Sequence, residues 1–200
     1  MSQPQIGTLD FMARMKPKDL AVIDGDLRRT WDEWDDRACR FASYLRDRHG
    51  VGRGSRVAWM LPNSSFYYDL WFALQKLGAT PVSVPYRLTC SEAAYIIDHS
   101  DARLVLLDAE LAPRLVAARA QMPKVVDDAF ILAGNPALAE GALPRAVPLE
   151  MALEQGSPER FFLEKPSGSG AVVYTSGTTG RPKGEVRELD GRDPDALRNY

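Results

Sequence analysis

The chain has 200 residues, of which 45% are hydrophobic and 26% charged, and its formal net charge is −2. These proportions are typical of one globular domain, or of one and a half. The 25 basic and 27 acidic residues are mixed along the chain and form no basic surface. We therefore expect neither nucleic acid nor an anionic membrane as a partner.

Leader, membrane and metal signals are missing from the sequence. The N-terminus lacks the basic, apolar and small-residue pattern of a secretion signal, and no stretch approaches 18 apolar residues. Two isolated cysteines, Cys39 and Cys90, fit a reducing compartment better than a disulfide framework. Neither they nor His49 and His99 have metal-ligand spacing. The sequence predicts a cytoplasmic protein with no integral membrane segment and no metal site.

The first predicted elements are a small β-hairpin and a helix. Predicted strands at 21–24 and 27–30 flank Gly25-Asp26, a dipeptide typical of tight turns. Thr30 and Glu33 have the spacing of a capping box. Apolar residues then recur at helical spacing from Trp34 to Leu45, and the helix is expected to end at Gly50.

Strands and helices alternate through the following residues. The sequence predicts strands at 57–61, 80–84, 104–107, 125–126 and 130–132, and helices at 64–78, 89–99 and 109–121. This alternation predicts an α/β fold with a mainly parallel sheet and flanking helices. Five prolines and five glycines punctuate residues 134–170, where we expect an irregular surface connection with one weak helix at 149–155.

Several conspicuous side chains are assigned structural roles. The four tryptophans are spread over three elements at core-facing spacing and are predicted to pack rather than to form a ligand cage. The adjacent Asp35 and Asp36 are expected on a solvated helix face. Lys76 is expected to extend its ammonium group to solvent.

The most specific motif is residues 174–184, Tyr-Thr-Ser-Gly-Thr-Thr-Gly-Arg-Pro-Lys-Gly, here named the Gly/Thr loop. It follows the β-branched run 171–173, so we expect a loop that leaves a buried strand. Its glycines allow backbone amides to face an anion, its hydroxyl groups are donors, and Lys183 adds a positive charge. Together these groups predict a polyphosphate site. The alternative is a polar surface turn with one solvated lysine.

Two other nucleotide-binding motifs are excluded at this loop. A Walker A loop requires G-x-x-x-x-G-K-[ST], but here Pro182 precedes Lys183 and a glycine follows it. A dinucleotide fingerprint requires G-x-G-x-x-G, which does not occur in the chain.

The Gly/Thr loop resembles the signature loop of the adenylate-forming enzymes, which include acyl-CoA synthetases, adenylation domains of peptide synthetases and luciferases. Upstream segments resemble the family in order and spacing, namely 30–34, 50–58, 61–64, 76–85 and 92–100. The resemblance covers nearly all of residues 20–184. It implies that residues 1–200 form an incomplete N-terminal part of the large adenylate-forming domain.

The resemblance also implies an activity. A carboxylic acid, here a fatty acid, is joined to AMP with release of pyrophosphate, and the acyl group then passes to coenzyme A. Mg²⁺ normally assists, so the implied cofactors and co-substrates are ATP, Mg²⁺ and CoA. The residues implied to bind the β- and γ-phosphates of ATP are Thr175, Ser176, Gly177, Thr178, Thr179, Gly180 and Lys183.

No catalytic residue is assigned, because the family's adenine, ribose and magnesium motifs, its hinge and its catalytic lysine lie downstream of the signature loop. We expect the chain alone to be inactive, and a truncated chain to expose apolar surface and to self-associate. The sequence departs from the family at Glu185, where a small or apolar residue is usual, and at 186–189, where a histidine is often found. Two alternatives remain, an amino-acid-activating adenylation domain and a non-catalytic remnant that acts as a binding module.

Overall fold

A computed structural model describes residues 8–160, 170–175 and 183–187 of the chain. The helices in this part are α1 Leu9–Met15, α2 Trp31–His49, α3 Phe66–Leu77, α4 Cys90–His99, α5 Ala112–Val116 and α6 Leu149–Gln155. The strands are β1 Leu20–Asp24, β2 Leu27–Thr30, β3 Arg56–Met60, β4 Thr80–Ser83, β5 Leu104–Asp108, β6 Phe130–Ala133, β7 Val147–Pro148, β8 Ala171–Thr175 and β9 Lys183–Arg187.

The strands form two sheets. β1 and β2 make the expected antiparallel hairpin. The other seven strands form one sheet in the order β7-β6-β5-β3-β4-β8-β9, in which only the β8–β9 pair is antiparallel. Strands β5 and β6 are apolar and buried along most of their length, as expected for parallel strands that are covered on both faces. The predicted α/β fold with a mainly parallel sheet and a separate hairpin is confirmed.

Helices cover this sheet on both sides. Helix α2 packs against α3 and α6, whereas α4 packs against α5. Crossovers between parallel strands are right-handed in nearly all proteins. The β3–α3–β4 and β4–α4–β5 crossovers run in opposite directions across the sheet, so α3 and α4 lie on opposite faces.

The predicted helix ends are confirmed in atomic detail. The Thr30 hydroxyl accepts from the Glu33 amide, while the Glu33 carboxylate accepts from the Thr30 amide. Thr89 and Glu92 form the same capping box at the start of α4. Gly50 and Gly78 end α2 and α3 with φ of 64°, a left-handed conformation that glycine adopts without steric cost.

The sequence-based prediction for 109–121 was wrong. Pro113 lies in the first turn of α5, where its missing amide costs nothing, so α5 begins at Ala112. The residues on either side form separate 3₁₀ turns, 109–111 and 119–121. The predicted strand at 125–126 was also wrong, because the Val125 carbonyl accepts a hydrogen bond from the Arg119 guanidinium at 2.5 Å. Helix α1, capped by Thr8, was not predicted.

Residues 134–160 contain more regular secondary structure than the irregular surface connection that the sequence predicted. Besides a 3₁₀ turn at 136–139, they provide the edge strand β7 and helix α6. Leu149, Ala152 and Leu153 of α6 are buried in the main core. Residues 161–169 of the predicted connection lie outside the described residues.

Two charged side chains are buried where solvated groups were expected. Lys76 is only 5% exposed and Asp35 only 1%, and their charged groups lie 2.8 Å apart. The prediction that both face solvent was therefore wrong. Trp34 and Trp59 are buried in apolar clusters, which confirms their packing role.

Candidate functional site

The two ends of the Gly/Thr loop are held by a β-hairpin. Strand β8 leads into the loop and β9 leads out of it, and the two pair so that Thr175 lies opposite Lys183. These two predicted site residues are thus neighbours at the base of the loop. The other five, Ser176, Gly177, Thr178, Thr179 and Gly180, lie outside the described residues.

The loop leaves the sheet at the edge where ligands bind in many α/β proteins. Strand β8 runs parallel to β4, and β4 runs parallel to β3, so the loop follows the carboxyl end of a parallel strand. The neighbouring strands β3 and β4 send their following helices to opposite faces of the sheet. Open α/β sheets bind ligands beside the carboxyl ends of strands at such a switch point.

The base of the loop is open to solvent and carries one positive and one negative side chain, Lys183 and Glu185. Thr175, Lys183, Gly184 and Glu185 are all exposed. Lys183 forms no ion pair with any residue in the described ranges. Because strand side chains alternate between faces, Glu185 lies on the same face as Lys183. A carboxylate therefore accompanies the lysine at the candidate phosphate site.

Tyr174 and His99 form a contact that sequence reasoning missed. The Tyr174 hydroxyl lies 2.9 Å from Nδ1 of His99, 75 residues earlier in the chain. From the sequence, His99 was considered only as a metal ligand and Tyr174 was assigned no role. No local sequence signal could have paired them, because the contact depends on where α4 lies beside β8.

Other candidate sites are weaker. A cleft of about 480 Å³ at the start of α2 is lined by four arginines, but acidic side chains share its lining, and Arg37 and Arg160 are ion-paired. Across the described residues, no three His, Cys, Asp or Glu side chains cluster as a metal site would require. The helices in the same residues are too short or too polar to cross a bilayer.

Comparison with known proteins identifies the family. A family model described as AMP-binding enzyme matches residues 9–189. The long-chain-fatty-acid–CoA ligase FadD13 of Mycobacterium tuberculosis is 36% identical over 178 residues, which cover 87% of this chain and 33% of the relative. Acetate–CoA ligase CCL3 of Humulus lupulus is 35% identical over 191 residues, which cover 89% of this chain and 33% of that relative.

A solved structure agrees with these relatives. The inhibitor-bound N-terminal domain of FACL13 from Mycobacterium tuberculosis superposes with a TM-score of 0.71 at 28% identity, over 90% of this chain and 43% of that chain. The present chain thus spans about a third of the length of the curated relatives it matches. These matches confirm the resemblance inferred from the Gly/Thr loop, and the chain belongs to the AMP-binding enzyme family.

Proposed function

We propose that residues 1–200 form the N-terminal portion of an adenylate-forming domain, within a longer enzyme that converts a carboxylic acid to its CoA thioester. The position of the Gly/Thr loop carries this proposal. A loop rich in glycine and hydroxyl groups joins β8 to β9 at the carboxyl edge of a parallel sheet, with the exposed Lys183 at its base. This is where an α/β protein would hold a nucleotide.

The proposed reaction has two steps. A carboxylate oxygen of the acid attacks the α-phosphorus of ATP, a new P–O bond forms, and the bond to the bridging oxygen breaks as pyrophosphate leaves. The CoA thiolate then attacks the acyl carbon, a C–S bond forms, and AMP leaves. Both steps need positioning and charge stabilisation more than covalent catalysis by the protein.

Within this reaction, the loop is assigned to the pyrophosphate end of ATP. The amides and hydroxyls of Thr175, Ser176, Gly177, Thr178, Thr179 and Gly180 would bind the β- and γ-phosphates, and the Lys183 ammonium would offset the charge that develops on the leaving group. Mg²⁺ bound to the triphosphate would neutralise part of its charge. We assign none of the described residues as a ligand of that ion.

A fatty acid is the proposed acyl substrate. The printed name of the M. tuberculosis relative specifies long-chain fatty acids, whereas that of the H. lupulus relative specifies acetate. An aliphatic carboxylic acid is common to both. An amino acid remains the alternative substrate, and a non-catalytic binding module the alternative function.

Binding of tripolyphosphate tests the assignment of the loop. This probe has the phosphates of ATP but no nucleoside, so it requires only the Gly/Thr loop. We expect titration calorimetry to detect tripolyphosphate and ATP binding, AMP to bind more weakly than either, and Lys183→Met to weaken the first two. Lys16→Met is the matched control, because Lys16 is also exposed but pairs with Asp19 in the segment between α1 and β1. Equal binding by both variants would contradict the assignment.

Acid-dependent exchange of pyrophosphate into ATP tests the activity. We expect none from residues 1–200 alone, and activity above background would contradict that expectation. A chimera in which residues 9–189 replace the matching segment of the M. tuberculosis relative should exchange with fatty acids. Exchange with amino acids instead would favour the alternative substrate. A folded chimera that is inactive with both would favour the binding module.

Location and assembly belong to the same proposal. We propose a cytoplasmic protein, which fits the free cysteines Cys39 and Cys90.

We also propose that the chain self-associates when the rest of the domain is missing. Met15, Leu20 and Ile23 are each more than half exposed, and such apolar side chains favour association. Sedimentation velocity over a range of concentrations tests this, and a monomer at every concentration would contradict it.

A further inference from the structure

The base of the Gly/Thr loop extends beyond the sheet that supports it. Strand β8 pairs with β4 through Val172 and Val173. The next two residues, Tyr174 and Thr175, have ladder partners only on β9 within the described residues. The loop therefore starts from a two-stranded ribbon, and such ribbons are marginally stable without further contacts.

Tyr174 supplies a contact beyond that ribbon. Its hydroxyl lies 2.9 Å from Nδ1 of His99, and the two rings meet edge to face with centroids 5.9 Å apart. The His99 ring in turn stacks on Tyr95, with centroids 5.1 Å apart. A tyrosine hydroxyl is protonated at neutral pH, and partial burial raises the pKa of Tyr174 further. It can therefore donate to Nδ1 in the imidazole tautomer that carries its proton on Nε2.

Gly184 allows Tyr174 to adopt this position. The two residues are opposite each other in the β8–β9 ladder, and the tyrosine ring covers the glycine. A Cβ at position 184 would lie 2.9 Å from Cζ of Tyr174 and 3.2 Å from both Cε atoms. A larger residue would therefore displace the ring from His99.

Helix α4, at the other end of the contact, is firmly held in the fold. Its first turn has the Thr89–Glu92 capping box, and Ala93, Ala94, Ile96 and Ile97 are buried in the main core. The Tyr174–His99 contact thus joins the base of the Gly/Thr loop to a helix that is anchored in the core by one buried face.

We propose that Tyr174 and His99 are positioning residues, which hold the base of the Gly/Thr loop against α4 and thereby favour phosphate binding. This inference rests on the proposed function of the loop. It gives a role to two side chains that need not touch the nucleotide. It also explains why position 184 lacks a side chain.

The test combines Tyr174→Phe, His99→Ala and the double variant in the whole chain. Tyr174→Phe removes only the hydroxyl and keeps the ring over Gly184. Tyr68→Phe is the matched control, because it makes the same chemical change at a half-exposed tyrosine of α3. Measurements are made where all variants have the circular dichroism of the wild type. The readouts are the imidazole NMR signals of the two histidines and the affinity for tripolyphosphate.

Expected results follow from the loss of one hydrogen bond. Tyr174→Phe should shift the His99 signals, leave those of His49 unchanged, and weaken tripolyphosphate binding about five-fold, which corresponds to a net hydrogen bond of about 1 kcal/mol. His99→Ala also removes ring stacking, so its effect should be at least as large. The double variant should bind no more weakly than His99→Ala, because both changes remove the same bond. Tyr68→Phe should change neither readout.

Three results would overturn the inference while leaving the proposed function standing. They are unchanged His99 signals in Tyr174→Phe, wild-type tripolyphosphate affinity in that variant, and losses that multiply in the double variant. Failure of the wild-type chain to bind tripolyphosphate at millimolar concentration would overturn both the proposed function and this inference.

Discussion

The ammonium group of Lys76 lies 2.8 Å from a carboxylate oxygen of Asp35, although the two side chains are only 4% and 1% exposed. Lys76 also pairs with Asp10 of α1 at 2.5 Å, so one buried cation connects three helices. Burial by itself lowers the pKa of Lys76, but Asp35, Cys39 and Asp10 outweigh this effect and raise it above its ordinary value. The lysine is therefore charged in the folded chain.

Lys76→Met is expected to destabilise the chain strongly. The change keeps most of the side-chain volume but removes a charge that compensates two carboxylates, and breaking a buried pair from one side typically costs about 3–5 kcal/mol. The free energy of unfolding in urea measures this cost. Lys124→Met, which breaks an exposed pair with Asp101, should have little effect. A Lys76→Met variant as stable as the Lys124→Met variant would show that the buried pair contributes nothing.

Structural features that depend on residues close together in the sequence could be predicted. A capping box is encoded within four residues, so Thr30–Glu33 and Thr89–Glu92 were both predicted correctly. Alternating apolar runs and caps likewise predicted the α/β fold. The Gly/Thr loop was recognised because its chemistry is contained in one short segment.

Contacts between distant residues could not be predicted in this way. Lys76 and Asp35 each look like surface residues in isolation, and their burial is explained only when α2 packs on α3. The Tyr174–His99 contact likewise forms only when α4 packs beside β8. Burial of a charge or pairing of distant polar groups is a property of the assembled layers rather than of any local pattern.

Gly156→Ala is expected to disturb the packing of α6 on α2. A Cβ at this position would lie 2.0 Å from the Arg40 carbonyl oxygen and 2.6 Å from its carbon, and backbone atoms within α2 cannot move aside. Overpacking of this kind typically costs about 1–3 kcal/mol, which urea unfolding would detect. Gly52→Ala is the matched control, because nothing lies within 4 Å of a Cβ there. Equal stability of the two variants would contradict the observed packing.

Glu185→Gln is expected to strengthen polyphosphate binding. Glu185 and Lys183 lie two residues apart on β9, so the carboxylate repels an anion that the lysine attracts. At low ionic strength the affinity for tripolyphosphate should rise about two- to three-fold, and added salt should reduce the difference. Glu140→Gln, at another exposed position, should leave the affinity unchanged. Unchanged affinity in Glu185→Gln would place the anion away from this face of the hairpin.

His49 is expected to make stability depend on pH below neutrality. Burial lowers the pKa of His49 below its ordinary value of 6.5, an effect that nearby Asp128 opposes and Arg48 reinforces. Its Nε2 is buried and has no hydrogen-bond partner among the described residues. As pH falls through 6.5, the unfolded chain takes up this proton before the folded chain does, so the free energy of unfolding decreases until the folded-state pKa is passed.

The His49→Gln variant isolates this contribution. Gln cannot titrate, so the difference in unfolding free energy between wild type and variant should be constant above pH 7. As pH falls below 6.5, the wild type should lose stability relative to the variant. Because His49 is only partly buried, the change should not exceed about 1 kcal/mol. Urea unfolding at a series of pH values measures it, and the carboxylates common to both chains cancel. A difference that moves in favour of the wild type as pH falls would mean that the folded chain stabilises the protonated imidazole.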